Sequence, residues 1–139
     1  MRSSIFSVFI LLLSSLAFLP STSWAADKEA PAKAIYYKFP KAITINFLSQ
    51  SNQEVRYLQV KVALMSHDQE TIDGATLNLP MLEDALHTLF SEQTMESVSS
   101  VEGRKKLKET TLTAVKAILK EEIGKDNLDG IYFTSFILQ

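Results

Sequence analysis

The sequence predicts an α+β domain: a small, mostly antiparallel sheet with helices gathered on one face, in the order β-β-α-α-β. Three observations predict it. Apolar and polar residues alternate through 43–47 and 58–64, the period of half-buried strands. Apolar residues recur at helical spacing through 79–90 and again through 107–123. The closing stretch Gly130-Ile-Tyr-Phe-Thr-Ser-Phe-Ile-Leu-Gln139 is rich in the aromatic and β-branched residues that suit a strand.

Composition bounds the function. The 139 residues suit one domain, since domains typically run to about 100–150 residues. There is no cysteine, which excludes a disulfide framework, a lipid-modified cysteine anchor and thiolate metal sites. With 14 basic and 16 acidic residues the formal charge is −2, and nothing invites nucleic acid.

Residues 1–25 read as a signal peptide. Arg2 supplies the positive start, 5–19 the apolar run, and Ser23 and Ala25 the small residues that a signal peptidase requires, with cleavage expected after Ala25. The competing reading is a short membrane anchor facing the periplasm. The apolar run of 15 residues falls short of the ~20 that span a bilayer. Residues 26–34 are charged, alanine-rich and free of bulky apolar side chains, a flexible leader. The domain proper is then 35–139.

Within it, 35–39 begins an extended segment that Pro40 interrupts, which places it at a sheet edge. Ile43, Ile45 and Phe47 alternate with Thr44 and Asn46; Leu58, Val60, Val62 and Leu64 alternate with Gln59, Lys61 and Ala63. With the polar turn 49–54 between them, these strands form an antiparallel hairpin. His67 to Gly74 reads as a polar connection. Pro80 opens a helix whose stripe is Leu79, Leu82, Leu86, Leu89 and Phe90. Thr94 to Val98 adds a short turn. Ser99 with Glu102 fits a capping box for a longer helix. Its buried face is Leu107, Val115, Ile118 and Leu119, widened by Leu112 and Ile123, and Gly124 ends it. In the last strand, regular alternation puts Ile131, Phe133 and Ile137 on one side and Tyr132, Phe136 and Leu138 on the other. Apolar on both faces, it is expected inside a sheet covered on each side, filling an interior slot.

No catalytic, cofactor-binding or metal-ligating residue is nominated, and no cofactor is expected. His67, Asp68, Glu70 and His87 include ligand types, but no HxH or HExxH spacing; His87, four residues after Glu83, suits a local ion pair. Arg104-Lys-Lys-Leu-Lys108 is a solvated helix face that could also meet anionic headgroups. No G-x-S-x-G or S-x-x-K occurs, and the four glycines are too scattered for a phosphate loop. Tyr36 and Tyr37 suit either an interface or a cover for the sheet.

The chain resembles the FliL family of flagellar basal-body proteins from about Tyr36 to Gln139. The resemblance rests on Pro40 with Ile43-Thr-Ile-Asn46, on Arg56-Tyr-Leu-Gln-Val-Lys-Val-Ala-Leu64 and on Leu79-Pro80 ahead of Asp84-Ala85. Glu102-Gly103 ahead of Leu107 adds to it, and above all the terminal Ile131-Tyr-Phe-Thr-Ser-Phe-Ile-Leu-Gln139. It implies a non-enzymatic periplasmic domain shaped like the stomatin-type domain. It also implies assembly into a ring around the ion-driven stator units of the motor, and support of those units in motility and chemotaxis. The implied partners are the stator subunits, through the linker of the peptidoglycan-binding one, and the basal body close to the inner membrane; no nucleic acid is implied. The N-terminus departs from the family, whose members usually carry a basic cytoplasmic tail and a retained membrane helix. The alternative function is a periplasmic small-ligand or peptide-binding module unrelated to motility, which a deep apolar pocket would mark.

Overall fold

The computed structural model describes residues 32–47 and 56–139. The 1–25 segment, most of the 26–34 leader and the turn at 49–54 lie outside the described residues. The elements are β1 (Ile35–Lys38), β2 (Ile43–Asn46), β3 (Tyr57–Ser66), α1 (Gln69–Leu77), α2 (Leu79–Ser91), α3 (Met95–Ser99), α4 (Val101–Ile123) and β4 (Gly130–Leu138). The α+β class holds. The element order is longer than expected by one strand and two helices.

The long strand β3 organises the sheet. Its even-numbered residues Leu58, Val60, Val62 and Leu64 are fully buried. β4 runs antiparallel along one edge of β3, from Leu58 opposite Leu138 to Met65 opposite Gly130. β1 and β2 lie end to end along the other edge, also antiparallel, with Lys38 opposite Ala63 and Ile43 opposite Val60. Between them, residues 39–42 face only Lys61 and Val62. The chain bends there because Pro40 has no N–H to give the ladder, while Phe39 N still donates to Val62 O at 2.9 Å. The β2–β3 pairing bears out the expected hairpin.

Two expectations about β4 are corrected. It is an edge strand rather than an interior one, and only Ile131 in it is fully buried. Its two apolar sides also merge into one. Phe133 faces Val62 and Ser135 faces the adjacent Lys61, so Thr134 is an extra residue, a β-bulge. The bulge resets the alternation. Ile131, Phe133, Phe136 and Leu138 therefore all pair with inward residues of β3, and the last three pack against the core. Ile137 and Tyr132 point the other way, exposed.

The four helices among the described residues lie on the inward face. α1 packs on β1, β3 and α4; α2 on β2 and α4; α4 on β4. Phe90 of α2 meets Phe133 edge-on, centroids 5.8 Å apart, joining the helical layer to β4.

The supposed polar connection 67–74 is α1. Asp68 caps it by accepting from Glu70 N at 3.1 Å, and its inner face is Thr71, Ile72, Gly74 and Ala75. A Cβ on Gly74 would lie 2.5 Å from the Ile123 side chain, so α1 and the end of α4 approach through that glycine. Asn78 then closes α1, its Nδ2 donating to Gly74 O at 2.9 Å, and α2 begins one residue before Pro80. The 94–98 turn is α3, capped by Thr94 and Ser97 in a reciprocal box. α4 is capped by Ser100 rather than Ser99, with Oγ accepting from Gly103 N at 2.9 Å. Its buried face is Leu107, Thr111, Val115 and Leu119, with Leu112, Ile118 and Ile123 partly buried. Gly124 ends it at φ 71°, in the left-handed region.

Candidate interaction surface

The period-two pattern that buries one side of β3 also fixes what the other side carries. Tyr57, Gln59, Lys61, Ala63 and Met65 point away from the helices. Tyr36 and Lys38 of β1, Thr44 and Asn46 of β2, and Tyr132, Ser135 and Ile137 of β4 lie beside them by register. No described helix covers this face. Its large apolar side chains are accordingly accessible: Tyr36 59 %, Tyr57 44 %, Ile137 40 % and Tyr132 38 %. Tyr36 and Tyr132 meet across β3 with ring centroids 6.1 Å apart, tilted by 47°, and Ala63, opposite Tyr132, is buried.

The two tyrosines weighed together in the sequence have separate fates. Tyr37 packs against the core and Phe39 on the inner side; Tyr36 belongs to the open face. Alternation along β1 was the available signal. Of the other residues on this face, Lys38, Lys61, Tyr57, Tyr132 and Ile137, the strand pattern of the sequence places Lys61 opposite the buried set.

A cleft of about 170 Å³ opens on the same face between Thr44, Tyr57, Gln59, Ile137 and Gln139. That is well under the roughly 300–1,000 Å³ typical of small-molecule sites.

The acidic and histidine residues near α1 form a structural clasp. His67 Nδ1 and its backbone N both lie 2.8 Å from Asp129 Oδ2. Asp68 accepts from Asn127 Nδ2 at 3.0 Å and from Thr71 Oγ1 at 2.9 Å, and Lys125 pairs with Glu70 and with Asp68. Hydrogen bonds from Asn127 and Thr71 hold the Asp68 carboxyl below the usual carboxylate range. The His67 side chain does the same for Asp129, and the bond to Glu70 raises the Lys125 ammonium. The clasp straps the 124–129 turn to the start of α1. Among the described residues no cluster of metal-ligand type forms. His87 is exposed on α2, and the expected ion pair with Glu83 is not formed: at partly or fully exposed positions such a pair is worth too little to fix two side chains.

In the basic run, Arg104 donates to Ser99 O at 3.1 Å and lies 5.5 Å from the Phe136 ring centroid. Lys108 Nζ stands 5.0 Å from the Tyr132 ring centroid, both at cation–π distance. Lys105 and Lys106 are solvated. No helix among the described residues is long and apolar enough to cross a membrane; the 5–19 run is not among them.

Fold and surface together define a one-sided α+β domain that presents a sheet to its surroundings. Residues 36–139 match the family of the flagellar basal body-associated protein FliL. The chain belongs to that family, and its role is flagellar. It is similar to the flagellar protein FliL of Aquifex aeolicus, 26 % identical over 115 residues, covering 82 % of this chain and 68 % of the relative. It is also similar to the flagellar FliL protein of Caulobacter vibrioides, 29 % identical over 91 residues. That match covers 66 % of this chain but spans less than half, 43 %, of the relative.

Proposed function

We propose that this protein is an exported, non-enzymatic partner of the flagellar stator. It supports or stabilises the stator units by contact, through the periplasmic linker of the peptidoglycan-binding subunit. The observation that carries this reading is the family match running through 36–139, the whole of the described domain apart from its first four residues. The open sheet face supports it, because contact needs an uncovered surface. We further propose that the 1–25 segment is removed after Ala25, leaving the chain periplasmic beside the inner membrane. Self-association into a ring completes the proposal; the outer edges of β1 and β4 offer unpaired backbone groups for it.

Deleting the gene tests the reading. Swimming speed should fall and return when the wild-type gene is restored. Unchanged speed, in this deletion and in one that also removes any membrane-anchored relative, contradicts a stator role. An Ala25→Tyr variant blocks the cleavage site and should stay in the membrane fraction while the wild type is released. A wild-type chain that also stays there, at full length, contradicts export as a free protein.

A further inference from the structure

Among the described residues the open face of the sheet carries charge of a single sign. Lys38 and Lys61 are its charged side chains there, both exposed. Lys38 lies opposite Ala63, two residues along β3 from Lys61, so the two ammonium groups are diagonal neighbours. Neither belongs to an ion pair. Lys108 adds a third cation at the β4 rim, over Tyr132. The chain as a whole has more acidic than basic residues, 16 against 14, so this face is not a sample of the composition. Ordinary surfaces intersperse the two signs.

Aromatic and apolar groups flank the lysines at both ends, Tyr36 and Tyr132 at one and Tyr57 and Ile137 at the other. We infer that this face docks an acidic, extended polypeptide segment of another protein, with apolar side chains spaced between its carboxylates. The carboxylates meet Lys38 and Lys61 while the apolar side chains settle on the tyrosines. A membrane fits less well, since anionic bilayers are held by clusters of about 4–8 basic residues. A second copy docked face to face would oppose lysine to lysine. The inference stands on this charge pattern and not on the stator reading.

The test is fluorescence anisotropy of the full-length chain with a labelled peptide of alternating glutamate with leucine and phenylalanine, at low and at physiological salt. Binding should saturate, weaken with salt, and fall about tenfold or more in Lys38→Glu/Lys61→Glu. Lys105→Glu/Lys106→Glu makes the same charge change on α4 and should bind like the wild type. All the substituted side chains are exposed, so thermal melts should match the wild type. Equal binding by the Lys38/Lys61 variant, or tighter binding of a lysine-for-glutamate peptide, overturns the inference. Phosphatidylglycerol vesicles bound in place of the peptide would make this a membrane face. Dimerisation that the double variant abolishes would make it a self-interface.

Discussion

Inserting an alanine between Ser135 and Phe136 should be far more damaging than deleting Thr134, because the insertion alone changes which side the later residues face. With the bulge in place, Phe136 and Leu138 face inward opposite Val60 and Leu58. Deleting Thr134 leaves plain alternation, with Ser135 still opposite Lys61 and both apolar residues still inward. The insertion moves every later residue by one place, so Ile137 faces the helices while Phe136 and Leu138 go to the open side. Losing a fully buried Phe or Leu costs about 2–5 kcal/mol. These two are half-buried, so roughly half of that applies to each, and burial of Ile137 returns a part. The net cost is about 2–4 kcal/mol, against a typical total of about 5–15 kcal/mol. In a urea titration, with a slope of about 1–3 kcal/mol/M, the midpoint should fall by about 1–2 M. Deleting Thr134 loses one exposed hydrogen bond, from Oγ1 to Lys61 O at 3.3 Å. It should stay within about 1 kcal/mol of the wild type. An insertion as benign as the deletion would refute the merged face.

Two other predictions bear on the helical layer and the clasp. Gly103→Ala should destabilise by at least about 2 kcal/mol in the same titration, since its Cβ would fall 1.8 Å from Ser97 O, a backbone atom that cannot swing aside. The clasp makes stability depend on pH. Asp68 and Asp129 have depressed folded-state pKa values, so their contribution is complete above the unfolded aspartate value of about 3.9. It is lost as pH falls through the lower folded values. Melting temperature should therefore drop below about pH 4, less steeply in Asp68→Asn/Asp129→Asn, and identical slopes would argue against the clasp.

Much of the inner layer could be read from the chain because large apolar residues recur at the period of their element. β3, α2 and α4 announce themselves in that way, and Gly124 marks the end of α4. Where burial uses small residues the signal fades. α1 hides because its inner face is two small residues, a threonine and a single isoleucine; its cue was Asp68 as a cap. β4 misleads for a different reason. Nine residues of strand contain one bulge, and strict alternation across it gives two half-apolar faces where the fold has one. The polar pair Thr134-Ser135 between Phe133 and Phe136 was the trace it left. Edge position and the single-signed open face depend on which strands become neighbours, which period-two reading of each strand alone does not contain.

The most direct measurement counts stator units per motor, from stepwise torque on a tethered bead, in cells carrying the deletion. The account predicts fewer units without the gene and full restoration by the wild type. Wild-type stator numbers in the absence of the protein and of any anchored relative would contradict the central claim.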